Sequence, residues 1–265
     1  MKKLMFAATA AVAMAGIVSV AHADVTSANV VGYATLPNLA PNQFYLVAAQ
    51  FQNVGAENID LQDFIKSTDM VGPDAYMGGT DDDAPILKVW KDGGYVDYYY
   101  YAQDWMMAQN VWCVAGAGTA AVGEKINLSE GAFLKVKNQC TVQIAGQVAS
   151  SDSLQIGVQP NVFNLIADPF PIALNLNGGK VAWADALVGA DAYAGDGDDV
   201  APMIKTWVDG GYVDYYFYAQ DWMMNQNVWC IAALGTTAGD VVVDVSTAFW
   251  LKYTRGDAAN ILFTK

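Results

Sequence analysis

The sequence predicts an all-β protein of two tandem homologous domains, each a β-sandwich or a compact barrel-like unit with at most one short helix. Three observations predict it. Residues 85–115 and 202–232 are identical at 24 of 31 positions, at a constant offset of 117. Both blocks carry an Asp-Gly-Gly turn between apolar-aromatic runs, Asp92 to Gly94 and Asp209 to Gly211. The acids are 24 Asp and only three Glu. Asp favours turns, where its short side chain bonds nearby backbone, and Glu favours helices. The period is far longer than a solenoid repeat of roughly 20–50 residues, so each copy reads as a small domain.

The likeness extends beyond the central block. Pro41 to Ala48 aligns with Pro160 to Ala167 at an offset of 119, and Phe133 to Val136 aligns with Trp250 to Tyr253 at 117. The expected domains are 24–146 and 147–265, with a polar, Ser-rich junction from Val148 to Gln155. Phe44, Leu46 and Ala48 alternate with their neighbours, as do Val142 and Ile144, and Val241 to Val245 is rich in β-branched residues. Each reads as a strand. Glycines accept the positive φ of tight hairpins, so the two Asp-Gly-Gly turns each predict a β-hairpin. One helix per copy is expected, at Asp60 to Lys66 and at Val181 to Val188.

Residues 1–23 read as a secretory signal peptide. Lys2 and Lys3 precede an apolar run from Leu4 to Val20, and Ala21-His22-Ala23 is a small-x-small cleavage site. Cleavage leaves 242 residues beginning at Asp24, with no later transmembrane segment. The mature chain holds 11 Lys+Arg against 27 Asp+Glu, a net charge of −16. Such a surface repels phosphate backbones, so nucleic acid is excluded as a partner. The expected location is outside the cell, secreted or at the cell surface, with the periplasm as the other compartment. Cys113 and Cys230 are copies of one another and read as buried strand thiols. Cys140 near the junction is the odd one, open to pairing with Cys113 or another chain.

Asn164 to Pro171 reads N-L-I-A-D-P-F-P, and Lys205 to Tyr212 reads K-T-W-V-D-G-G-Y. With Gly131-Ala132-Phe133-Leu134-Lys135, the late strand of the first repeat, these segments resemble secreted bacterial surface proteins that carry N-L-I-x-N-P-[FY]-P segments and K-W-x-G-x-Y hairpins. The first copy departs at Ala49-Gln50-Phe51, where Pro is absent. The resemblance implies a secreted β domain and brings no catalytic residues.

The only His leaves with the signal, so no His-dependent triad can form. Asp97 and Asp104, with copies Asp214 and Asp221, are the carboxylates an Asp-dependent glycoside hydrolase would need. No cofactor is expected, with Ca²⁺ as the one candidate ion. Its candidate ligands are Asp81, Asp82 and Asp83 in the first copy and Asp196, Asp198 and Asp199 in the second, beside glycines that allow a tight wrap. A solvated acidic turn is the alternative.

The aromatic blocks carry the functional expectation. Tyr95, Asp97, Tyr99, Tyr101 and Trp105 fall at odd positions, and Tyr212, Asp214, Tyr216, Tyr218 and Trp222 repeat them. Aromatics also occupy even positions, and only one face of a sandwich sheet is core. A partly exposed aromatic-acidic strip in each domain would then contact another protein chain, a second copy included, or a glycan. The alternative is that the same chain covers both faces. The leading expectation is a non-catalytic protein with a structural, adhesive or self-assembly role. A carbohydrate-binding protein with two equivalent sites comes next, and the hydrolase third.

Overall fold

The computed structural model describes residues 30–71, 84–91, 93–101, 110–117, 119–187, 201–218, 227–232, 236–237, 241–254 and 257–265. It is an all-β chain of two similar halves, as the duplication requires. In the first, β1 (Val31–Leu39) precedes β2 (Phe44–Ala48), β3 (Asn58–Asp60) and helix α1 (Leu61–Phe64). Then come β4 (Ile86–Lys91), β5 (Gly94–Tyr101), β6 (Val111–Val114), β7 (Lys125–Asn127), β8 (Gly131–Lys135) and β9 (Cys140–Gln147). The second half runs β10 (Ser153–Val158), β11 (Asn164–Ile166), β12 (Leu174–Asn175), helix α2 (Trp183–Leu187), β13 (Met203–Val208), β14 (Gly211–Tyr218) and β15 (Val228–Ile231). It ends with β16 (Thr236–Thr237), β17 (Val242–Val243), β18 (Phe249–Lys252) and β19 (Ala259–Thr264). The predicted junction is partly strand, since β10 takes up Ser153 to Gln155.

The topology repeats with the sequence. The first main sheet has the order β2-β8-β4-β5-β6 and the second β11-β18-β13-β14-β15-β16. Around them, β1 pairs with β9 and β3 with β7, while β10 pairs with β19 and β12 with β17. All these pairings are antiparallel. No barrel closes among the described residues.

The local chemistry explains the elements. At the second hairpin, Asp209 and Gly210 take φ of 50° and 82°, the left-handed pair that suits the twist of the flanking strands. Gly93 in the first has φ 83°. Helix α1 starts because the Asp60 carboxylate accepts from the Gln62 N–H at 2.9 Å. Strands β6 and β15 are each gripped by a side-chain amide. Gln62 exchanges two hydrogen bonds with the backbone of Trp112, at 2.9 and 2.8 Å. Asn177 does the same to Trp229, at 2.8 and 3.2 Å. Both Trp side chains are completely buried at the centres of their cores.

A further apolar cluster belongs to neither core. Leu46, Ala48 and Phe133 of the first repeat join Leu165, Ala167, Ala248 and Trp250 of the second. The two main sheets meet here through the faces turned away from their own cores. The seam has the form of a two-fold dimer interface, in which equivalent residues make equivalent contacts. Ala48 N–H donates to Ser246 O at 2.8 Å, and its counterpart Ala167 donates to Ser129 O at 2.8 Å. Trp90 meets Trp250 edge-on at 5.2 Å, and the equivalent pair Trp207 and Phe133 meets edge-on at 6.0 Å. The seam is tight. A Cβ on Gly131 would lie 2.5 Å from the Ala248 Cβ and 2.7 Å from the Leu165 Cγ.

Candidate functional site: the seam and its open cleft

Strand β5 alternates as its sequence reads. Val96, Tyr98 and Tyr100 pack in the first repeat's core, which also takes in Tyr99, while Tyr95 and Asp97 lie outside it. Two residues of the predicted strip do not lie open to solvent. Tyr99 is 5% exposed and its copy Tyr216 is 4% exposed. This corrects the expectation of exposed rings at these positions. Strand alternation reveals two apolar faces and cannot say what covers the second. Tyr101 is half-buried, with its ring centroid 5.2 Å from that of Tyr99.

Tyr95 and Tyr212 remain open, at 43% and 47% exposure, yet both belong to the seam. The Tyr95 ring packs edge-on against Trp90 at 4.9 Å and lies 6.3 Å from Trp250. Tyr212 packs against Trp207 at 4.7 Å, and its hydroxyl accepts from the Trp250 indole N–H at 3.2 Å. Burial, then the neighbouring Tyr212 and Asp97, push the Tyr95 hydroxyl up to about 12. Asp97 pairs across the hairpin with Lys88, and Asp214 with Lys205. In each carboxylate, Oδ1 is buried without a hydrogen-bond partner among the described residues. These acids are therefore tied to cross-strand lysines at the margin of the seam.

The side chain of Tyr218, and all of Asp104, Trp105, Asp221 and Trp222, lie outside the described residues. So do the candidate Ca²⁺ ligands Asp81, Asp82, Asp83, Asp196, Asp198 and Asp199. No disulfide forms among Cys113, Cys140 and Cys230. All three are buried, and burial raises each thiol's pKa.

Two features were not anticipated from the sequence. The first is a polar clasp through the seam. Gln50 is 1% exposed, and its amide N–H groups donate to the carbonyls of Asp168 and Phe170, both at 3.0 Å. Its Oε1 accepts from Ser246 N–H at 2.6 Å. Asp168 is buried beside it. Its Oδ1 accepts from Phe170 N–H at 2.8 Å, and its Oδ2 has no partner among the described residues. Burial pushes this carboxyl up to about 6, against the opposing pull of the Phe170 N–H and Lys180. The sequence held a signal for the clasp, since Gln50 stands where the second copy has Pro169.

The second is a cleft of about 1040 Å³ between the repeats. Trp90 and Phe163 supply ring surface, and Glu130, Gln159, Asn161 and Lys252 supply polar groups. The Lys252 ammonium sits 5.5 Å from the Phe163 ring centroid, and the Glu130 carboxylate accepts from both N–H groups of Asn127. The pseudo-symmetric side differs. There the Trp207 indole N–H donates to Phe44 O at 2.8 Å, and a Cβ on Gly210 would meet the Gln43 amide at 3.5 Å. In the cleft, Val162 replaces Gln43, and a Cβ on Gly93 would meet nothing within 4 Å. Among the described residues no hydrogen bond joins Trp90 to Phe163. The duplication has thus diverged around one opening. Among the described residues no helix is long and apolar enough to cross a membrane. No protein-family model, curated protein or solved structure matches the chain.

Proposed function

We propose that the chain is a non-catalytic, secreted or cell-surface protein with a structural and adhesive role. One observation carries this reading: the reciprocal, aromatic, hydrogen-bonded seam that fastens the two copies face to face. Domain interfaces within a chain are commonly polar enough to permit relative motion. Here several aromatic side chains and paired backbone bonds cross the boundary. A body of fixed geometry suits holding a partner or taking its place in an assembly. The net charge of −16 over residues 24–265 and the expected signal sequence favour a partner outside the cell other than nucleic acid.

Carbohydrate binding is the second reading. Burial of Tyr99 and Tyr216 weighs against its form with two equivalent strips, while the cleft between the repeats favours it. Beads coated with the mature chain test the adhesive role. They should cluster with one another, or be retained on glycan- or protein-coated surfaces, more than albumin-coated beads. Equal behaviour of the two kinds of bead would overturn it.

A further inference from the structure

We infer that the cleft bounded by Trp90, Glu130, Gln159, Asn161, Phe163 and Lys252 is a glycan-binding site, one per chain, for a neutral oligosaccharide. The inference rests on the reading of the chain as an adhesive protein and names what it holds.

Sugar rings present an apolar C–H face and a rim of hydroxyls. A site for them needs an aromatic platform beside groups that both donate and accept hydrogen bonds. Trp90 and Phe163, both half-buried, supply the platform. Trp is suited to this, with a large apolar body and one polar N–H. Gln159 and Asn161 are exposed at the rim, and an amide both donates and accepts. Glu130 adds an acceptor and Lys252 a donor, of opposite charge, so the cleft has no strong preference of sign. The −16 charge of residues 24–265, 11 Lys+Arg against 27 Asp+Glu, disfavours anionic polysaccharides. The volume lies at the upper end of small-ligand sites, about 300–1,000 Å³, which is more than one sugar unit needs.

Divergence between the copies supports a site over a packing defect. A perfect duplicate would repeat the closed arrangement of Gln43, Phe44 and Trp207 on both sides. Instead Val162 is shorter than Gln43, and Trp90 makes no hydrogen bond to Phe163. Polar side chains gather at this opening, beside the backbone bridge between Glu130 and Ile166. That bridge already occupies part of the local strand edge, which disfavours adding a peptide as an extra strand there.

The test uses the full mature chain, titrated by calorimetry and indole fluorescence with maltohexaose, cellohexaose and chitohexaose and screened on an array of neutral and anionic glycans. The expected result is binding of at least one neutral glycan with one site per chain. Val162→Trp should fill the cleft and Gln159→Ala remove a rim amide, and both positions are exposed enough to keep the fold. Val162→Trp should weaken binding at least about tenfold, or about 1.4 kcal/mol. Gln43→Ala, on the other side of the seam, should leave it unchanged. No neutral binding, binding of anionic glycans only, two equivalent sites, or indifference to Val162→Trp would each overturn the inference. A chain that binds no glycan while its beads still adhere to protein surfaces would end this inference and leave the adhesive role standing.

Discussion

The backbone N–H of Ala48 in the first repeat donates to the carbonyl of Ser246 in the second, 2.8 Å away. Ser129 and Ser246, the acceptors of the reciprocal pair, both take positive φ, at 70° and 63°. The same unusual turn thus occurs in both copies and aims a carbonyl at the opposite repeat. In this pair, residues equivalent in sequence are equivalent in contact, as across the two-fold axis of a symmetric dimer.

Gly131 is where that interface tolerates least. Its counterpart Ala248 already supplies one methyl, and a second would fall within 2.5 Å of it. Gly131→Ala should cost about 1–3 kcal/mol through overpacking. Adding Ala248→Gly should recover part of the loss. Urea denaturation of the wild type, both single variants and the double variant measures the coupling, and strict additivity would argue against direct contact.

Asp168 makes stability fall as pH rises. Its carboxyl is pushed up to about 6 in the fold, against an ordinary 3.8, because burial disfavours the anion. Between those values the folded chain holds a proton that the unfolded chain has lost. Stability from this group is therefore full below about pH 4 and declines until about pH 6. The difference is about 2–3 kcal/mol, at about 1.4 kcal/mol per pH unit. Asp168→Asn should remove this component of the pH dependence, measured by urea midpoints from pH 4 to 7. An unchanged slope would place the proton elsewhere.

Tyr99 is core, so its loss should register as stability. Tyr99→Ala should destabilise by about 3 kcal/mol, in the range of large aromatic truncations. Removing the exposed Tyr33 side chain in the same way should change stability by less than about 0.5 kcal/mol. Thermal melts of the two variants give the comparison. Equal, small effects would mean that Tyr99 is not packed as described.

The fold was legible wherever local chemistry decides it. The Asp-Gly-Gly hairpins, the strand at Phe44 to Ala48 and the Asp60-capped helix all follow from residues close in sequence. The seam was not, because it joins faces more than 100 residues apart. Tyr95 and Tyr99 look alike along the strand, yet one flanks the seam half-open and the other is buried. Period-two alternation shows which residues are apolar without telling whether the rest of the chain covers them. The missing Pro at Gln50 and the Val162-for-Gln43 exchange were visible as departures between copies. Their meaning needed the two copies placed against each other.

The contact between Phe133 and Trp207 tests the face-to-face arrangement most directly, since the two belong to different repeats and lie 6.0 Å apart, edge to face. A double-mutant cycle with Phe133→Leu and Trp207→Leu, read by urea denaturation, should give a coupling of about 0.5–1.5 kcal/mol, the usual worth of such an aromatic pair. Additive single effects, with no coupling beyond error, would contradict the seam and with it the cleft that the seam creates.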